Sequence, residues 1–442
     1  MKRILSDFAY GDGPAAACYW GPTTVPLSRT PKAQGEIRKK IAIVGAGFTG
    51  LSAALHLAQA GADVAVLEAE TPGWGASARN GGFCCLGGTA LPHAMIRKRH
   101  GDDGLRHWCA TELSAIRLVR RLLDTHKIVA DTHSDGETIL AHSPRAMRHL
   151  RAEQAELESV YNVQTTLHEP ESLPALGMKG RYFGALTLPH GFGLNPRKYA
   201  DGLATAAFQA GAAIHAHSPV LSVTRSGGSY VLKTPAARIR ADQVIFATNG
   251  YSSEDVPDWL RGRFLPLQSN VLVTRPLTDQ EIADGWSSAQ MAYTHQTLLH
   301  YFRLMPDGRF LFGMRGGLFS GPRAFATLQQ RTRRQFEQAF PFWKHVATPH
   351  SWNGALAFTA KLSPYVGPVP EMPGAFAGFA YHGNGVAMGT HAGQLLARLA
   401  LAQDSGPHYP AMLQTIPKRF PLGRHRRLLM APGYIAAAIS GR

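Results

Sequence analysis

A strand that runs straight into Gly45-Ala46-Gly47-Phe48-Thr49-Gly50 and on into a helix constrains this chain more than any other feature. Lys40-Ile41-Ala42-Ile43-Val44 is the continuous apolar run of a strand buried on both faces. Leu51, Ala54, Leu55 and Ala58 share one helical face, and Asp63-Val64-Ala65-Val66-Leu67 reads as a second strand ending in Glu68 and Ala69. Gly45 permits the tight turn, Gly47 lets backbone approach a pyrophosphate, and Gly50 lets helix and strand pack closely. The helix N-terminus turns its partial positive charge to the phosphates. Glu68, 23 positions after Gly45, is placed to accept hydrogen bonds from a ribose. No Arg follows Glu68, which argues against a ribose 2′-phosphate. The unit is an α/β dinucleotide-binding motif.

A second glycine-dense loop follows: Gly73-Trp74-Gly75-Ala76-Ser77-Ala78-Arg79-Asn80-Gly81-Gly82. A nicotinamide enzyme has no need of it. An FAD lying extended across the sheet does, because close backbone must cover the stretch from pyrophosphate to ring. Two further turns, Ala247-Thr248-Asn249-Gly250 and Gly383-Asn384-Gly385 leading through Val386 and Ala387 into a helix, add backbone approaches. The last aims a helix N-terminus at the flavin N1/C2 carbonyl region.

With 442 residues the chain has room for two or three domains, and 45 % apolar residues make it globular. The net charge of +16 raises the question of nucleic acid, but the basic residues are scattered and sit in no nucleic-acid-binding motif. Four cysteines without CxxC spacing exclude a disulfide scaffold, make a zinc site a poor fit, and suit a reducing cytosol. No signal-peptide core or membrane-spanning run is legible, so a cytoplasmic location is expected. Residues 416–442 combine Lys418, Arg419, Arg424, Arg426 and Arg427 with Leu428-Leu429-Met430 and Ile435 to Ile439. That tail is either a packed extension or a peripheral contact with an anionic inner-membrane surface.

Helices are expected over 105–125, 145–160, 196–210, 323–345 and from Gly385 to about Leu401. Residues 212–248 alternate as strands with a turn at Gly227-Gly228, and 264–316 alternate as an antiparallel sheet. The expected organisation is an irregular arm (1–37), a discontinuous FAD-binding domain (38–100, 195–260 and 346–415) and a substrate domain (101–194 and 261–345).

The stretches IAIVGAGFTGLSAALHLAQAG, VLEA, GWGASARNGG, NPRKYADGLATAAFQAGA, VIFATNGY, YFRLMPDGRFLFGMRGG and GNGVAMGTHAGQLLA span most of residues 40–400. On them the chain resembles the D-amino acid oxidase-like flavoprotein superfamily, which includes glycine and sarcosine oxidases. Within it, the γ-glutamylputrescine oxidoreductase branch is most similar. The resemblance implies a Rossmann-like FAD-binding domain, a second α+β substrate domain on a mixed or antiparallel sheet, and hydride transfer from an amine carbon to flavin N5. It also implies that Val220, after an Ile214–Pro219 strand, contacts the adenine through its backbone.

Departures from the family pattern bear on the substrate. Amino acid oxidases of the superfamily clamp the substrate carboxylate with an Arg in a G-x-R-P-x-T segment; here Gly354-Ala355-Leu356-Ala357-Phe358-Thr359 puts Leu356 there. Sarcosine oxidases use a Lys just after an H-G-F stretch, where this chain has Gly385. Losing both cations removes a charge-assisted clamp, so the amine carbon is expected to bear no carboxylate. No Cys falls near Trp352–Gly354, so FAD is expected to be non-covalent. The oxygen-activating lysine of those oxidases has no counterpart in Phe310–Arg315, where Arg315 is the cation, so O2 and a quinone or other electron acceptor both stay open. Lys361 stands where the family usually has Asp.

The candidate catalytic residues are Tyr301 and Arg303, which alternation puts on one strand face, together with His382 and Tyr251. Trp74, Arg79 and Asn80 are candidates for covering or contacting the flavin. The expected function is oxidation of a primary or secondary alkylamine, γ-glutamylputrescine-like amines favoured, to an imine that water hydrolyses to an aldehyde. Two alternatives stand beside it. One is an amino acid or N-methyl amino acid dehydrogenase or oxidase with a relocated clamp such as Arg303 or Lys361. The other is a flavin-bound electron-transfer module without amine turnover.

Overall fold

The computed structural model describes residues 1–296 and 298–434. β1 (Gly35–Val44) and β2 (Val64–Leu67), joined by α1 (Phe48–Gln59), lie parallel at the centre of the first sheet, with Val44 level with Leu67. Strand Ala237–Phe246 lies parallel to β1 on its other side, and Ala375–Phe379 parallel beyond it. Strand Ala213–His215 extends the other edge, and the hairpin of Ser222–Ser226 and Ser229–Lys233 packs onto the first half of Ala237–Phe246. The carboxyl ends of β1, β2 and Ala237–Phe246 therefore open at one level, where doubly wound sheets bind ligands.

β1 starts five residues before the apolar run because Gly35–Lys39 pair with Ala237–Ala241. The arm ahead of it is three short 3-10 turns, tied down by buried Trp20, whose indole donates to the Asn80 carbonyl at 2.9 Å. The strand before Val220 is shorter than expected, only Ala213–His215.

The second sheet is mixed. Its order is His350–Phe358, Leu265–Val273, Phe310–Arg315, His300–Leu304, Met291–Thr294, Glu137–Leu140, Ala185–Leu188, Thr166–His168. Only the pair of Met291–Thr294 with Glu137–Leu140 is parallel. His350–Phe358 pairs along its whole length with Leu265–Val273. It therefore belongs to this sheet, although the expected boundary at 346 assigned it to the nucleotide domain. α2 (His93–Thr125) begins earlier than its legible periodicity and bends at Gly101, whose φ is +73°.

Alternation divides the two faces of this sheet. Phe302, Phe310 and Phe312 point one way, into a core with Phe336, Phe340, Trp343 and Trp286. The ring of Phe340 lies 4.9 Å from Phe302, 4.8 Å from Phe310 and 5.5 Å from Trp343. Removing a buried Phe side chain costs about 3–5 kcal/mol, so Phe340→Ala is expected to lower the unfolding free energy measured in urea by that much; a wild-type value would contradict this packing. The opposite face carries Ser269, Tyr293, Tyr301 and Arg315 toward the ends of β1 and β2, and forms the far wall of a deep cleft.

Arg426 and Arg427 turn inward from the tail. Arg426 pairs with Glu254 at 2.6 Å and donates to the Phe264 carbonyl, while Arg427 donates to the Gly317 carbonyl. Two of the cations offered for membrane contact are thus committed to the protein. Leu428 and Leu429 are exposed; Ile435 to Ile439 lie outside the described residues. Among the described residues no helix is long and apolar enough to cross a membrane.

Candidate active site

The cleft, about 460 Å³, runs from the ends of β1 and β2 to the second sheet. At its first end, Gly45 adopts φ +101°, and a Cβ there would sit 2.9 Å from the Ala247 carbonyl oxygen. A Cβ on Gly50 would be driven into the Gly45 carbonyl. The first turn of α1 has no preceding carbonyls to satisfy its amides. The Phe48 amide donates to Ser77 Oγ at 2.9 Å, drawing the second glycine loop over the helix start. Thr49 Oγ1 and Tyr381 OH are 2.8 Å apart, fixing α1 against the chain just past strand Ala375–Phe379.

Glu68 lines the cleft, but its oxygens already accept from the Ala46 amide (2.7 Å) and the Glu70 amide (3.1 Å). Burial pushes its carboxyl above the ordinary range, and these two amides oppose that shift. Glu68 thus fastens the glycine turn to β2 and keeps further lone pairs for a ribose. Ala69, Pro219 and Val220 wall the same end.

The second loop is built as much for itself as for a ligand. Asn80 lines the cleft, yet its amide donates to the Ala76 and Ser77 carbonyls (3.2 and 2.7 Å), and its Oδ1 accepts from the Gly82 amide at 2.7 Å. Its polar atoms therefore hold the loop closed. Arg79 differs: Nε donates to the Trp74 carbonyl at 2.8 Å, the guanidinium stacks 3.9 Å from the Trp74 ring, and both terminal nitrogens are buried without a partner. Trp74, Gly75, Ala76, Ser77, Gly81 and Gly354 line the cleft around it.

Tyr251 meets the Trp74 ring edge-on at 5.5 Å, and its hydroxyl accepts from the Ala355 amide at 3.1 Å. Asn249 Oδ1 accepts from the Ala380 amide, tying the Thr248–Gly250 turn to the end of the neighbouring strand. Thr248 and Asn249 line the cleft; Gly250 lies behind, pressed on the Ala355 carbonyl. His382 is buried, with Nε2 accepting from the Thr359 amide at 3.3 Å, so Nδ1 carries the proton and has no partner. Burial, helped by Arg315 and Lys361, pulls its pKa down to about 3, so the ring stays neutral. Asn384 donates to the Cys85 carbonyl at 2.6 Å while its own Oδ1 is unpartnered. Gly383, Gly385 and Val386 line the cleft ahead of helix Ala387–Ala400, where Val386 supplies no side-chain cap and Ala387 is buried behind.

Tyr301 lies across Gly313, and its hydroxyl meets Ser269 Oγ at 2.9 Å. Arg303 shares that sheet face but does not reach the cleft. Fully buried, it donates from Nε to the Gly81 carbonyl (3.0 Å) and from Nη2 to the Leu194 carbonyl (2.7 Å), and meets His133 Nε2 through Nη1 at 2.8 Å. Two residues along a strand is roughly 7 Å, enough to carry it past the opening. It positions the Gly81-Gly82 loop and is not a catalytic residue. Lys361 is also elsewhere: Nζ donates to the Met412 carbonyl at 2.6 Å, and burial lowers its pKa to about 7. Neither residue supplies a relocated carboxylate clamp.

Sequence reasoning did not single out Tyr293, Ser269, Leu299, Cys85 or Glu137, all of which line the cleft. Alternation in Met291–Thr294 and a carboxylate heading the apolar Glu137–Leu140 run were the available signals. Arg315 also lines the cleft, its guanidinium beside Gly383, with no hydrogen bond or ion pair to any described residue.

The orphaned polar atoms of Arg79, His382 and Asn384 and the glycine cradle fit an extended dinucleotide. Gly45, Gly47 and the start of α1 would take its pyrophosphate, Glu68 and Val220 its adenosine, and Arg79, His382 and the Gly383–Gly385 turn its ring system. The family model described as FAD dependent oxidoreductase matches residues 40–399. γ-Glutamylputrescine oxidoreductase of Escherichia coli K12 is 29 % identical over 88 % of this chain and 89 % of its own length. Glycine oxidase of Bacillus subtilis is 24 % identical over 82 % of this chain and 93 % of its own. The crystal structure of glycine oxidase from Geobacillus kaustophilus superposes with a TM-score of 0.69 at 19 % identity, covering 85 % of this chain and 98 % of that one.

Proposed function

The chain belongs to the FAD dependent oxidoreductase family, and from that premise we propose that it oxidises an aliphatic amine whose reacting carbon bears no carboxylate, γ-glutamylputrescine-like amines being favoured. The observation that carries this reading is the apolar Leu356 in the cleft wall, with Gly385 lining the same cleft. Those are the two positions at which the resemblance would have placed a carboxylate-binding cation. The relative from Escherichia coli bears a name that points to an amine substrate of this kind.

FAD, when bound, supplies the acceptor for the hydride that leaves the amine carbon. The chain's own residues prepare the amine. Trp74, Tyr251, Tyr293, Tyr301 and Leu356 wall the cleft with apolar surface, which disfavours a charged ammonium. The Arg315 guanidinium adds like-charge repulsion, so the neutral amine, the form able to give up hydride, is selected. His382 stays neutral and offers its Nδ1 proton to a cofactor acceptor rather than taking one from substrate. Loss of hydride and an N–H proton leaves an imine, which water hydrolyses to aldehyde and ammonia. No side-chain base is required; positioning and electrostatics do the work.

One observation favours a second reading, an α-amino acid or N-methyl amino acid substrate: the unpartnered Arg315 could take a carboxylate. A panel of alkylamines against glycine, sarcosine and larger amino acids, read by aldehyde trapping and flavin reduction, separates the two. The amine reading expects reduction by alkylamines at least ten times faster than by any amino acid; the reverse order overturns it.

A further inference from the structure

Among the described residues the cations that line the cleft are Arg3, Arg79 and Arg315. Two of them lie at its ring end, Arg79 stacked on Trp74 and Arg315 beside Gly383. The diphosphate of a dinucleotide carries two negative charges, and the glycine turn and the start of α1 offer it backbone amides alone. Glu68 and Glu70 line the cleft too and add negative charge of their own. The cation left for the diphosphate is Arg3.

Two anchors fix where Arg3 reaches the cleft. On one side, the Glu254 amide donates to the Lys2 carbonyl at 2.8 Å, and the Lys2 amide donates to Asp255 Oδ1 at 2.7 Å. Ile4 packs against the apolar cluster that holds Val44 and Leu67, the ends of β1 and β2, together with Val220. On the other side, the Arg3 guanidinium lies 4.3 Å from the centre of the Tyr10 ring. Tyr10 meets Tyr251 edge-on at 6.1 Å, and a Cβ on Gly75 would sit 3.2 Å from the Tyr251 ring. Arg3 therefore comes between the adenosine wall and the second glycine loop, where the middle of an extended dinucleotide lies. It is half-buried and makes no hydrogen bond or ion pair with any described residue.

The rest of the arm grips that same loop. Asp12 Oδ1 accepts from the Trp74 indole at 3.2 Å, the Cys18 thiol lies 3.9 Å from the Ala78 carbonyl, and the Trp20 indole donates to the Asn80 carbonyl. We propose that the arm is part of the cofactor site and that Arg3 binds the FAD diphosphate through charge-assisted hydrogen bonds. The planar guanidinium suits phosphate oxygens, and stacking on Tyr10 holds it while leaving its N–H groups free. This concerns the cofactor alone and holds whichever substrate is oxidised.

Release of FAD from the holoenzyme, followed as the rise in flavin fluorescence after dilution, tests it. At low salt Arg3→Gln is expected to release FAD about tenfold faster than wild type. The gap is expected to narrow to a few-fold as NaCl is raised to about 1 M, where the Debye length falls to roughly 3 Å. Arg3→Lys, which keeps the charge without the fork, is expected to fall between the two. Lys2→Gln removes the same charge one residue away, on an exposed side chain outside the cleft, and is expected to release FAD as wild type does. The Arg3 side chain touches only a ring, so its replacement leaves the fold intact. An unchanged rate in Arg3→Gln, a rise of equal size at every salt concentration, or an equal rise in Lys2→Gln overturns the proposal.

Discussion

Gly50→Ala is expected to yield a protein that no longer retains FAD. The added methyl would be driven into the Gly45 carbonyl, which belongs to backbone and cannot swing aside as a side chain can. Either α1 tilts away from β1 or the glycine turn opens, and both displace the Phe48 amide from Ser77 and the Ala46 amide from Glu68. Overpacking of this kind costs about 3 kcal/mol or more, which corresponds to roughly a hundredfold weaker FAD binding. Equilibrium dialysis or flavin fluorescence on apoprotein reconstituted with FAD measures it directly. Gly61→Ala is the matched control: it leaves the same helix, and a Cβ there meets nothing within 4 Å, although its φ of +78° adds local strain. FAD affinity within a few-fold of wild type in Gly50→Ala would show that the turn does not carry the pyrophosphate.

The second large effect is expected from Arg315→Gln. An alkylammonium in water has a pKa near that of lysine, about 10.4. A guanidinium within a few ångströms disfavours the charged form, so the complex titrates below the free amine. Reduction needs the neutral form and therefore rises with pH through that lowered pKa. Removing Arg315 raises it again by roughly one to two units, so the pH profile moves to the alkaline side. At pH 7, on the ascending limb, the reduction rate falls roughly ten- to hundredfold, with recovery at high pH. Arg315→Lys keeps the charge and is expected to keep most of the profile. A uniform loss at all pH values would assign Arg315 a purely structural role. A profile identical to wild type would remove it from the chemistry.

The parts of this site that were legible are those whose chemistry is local. Gly45 and Gly50 mark places where backbone comes too close for a side chain, and that constraint is written into the residue itself. The aromatic and aliphatic alternation of 264–316 likewise declares a two-faced sheet, with Phe302 on the core side and Tyr301 on the other. Glu137, Tyr293 and Arg315 were not assembled from sequence because the register of strands far apart in the chain brings them together. Pairing of Met291 with Glu137, and of Ser269 with Arg315, exists only once the sheet is built. Arg303 shows the limit of alternation: the right face, one step too far along the strand. Asn80 shows another, since a polar residue in a loop of small residues is as readily a staple for that loop as a hand for the ligand.

The most direct measurement is an anaerobic titration of the FAD-loaded protein with an alkylamine, following the visible flavin band. The family assignment and the aromatic-walled cleft predict stoichiometric bleaching with one aldehyde formed for each flavin reduced. A band that stays unbleached under excess of every alkylamine, while an amino acid reduces it, would contradict the reading of Leu356 and Gly385 on which the substrate assignment stands.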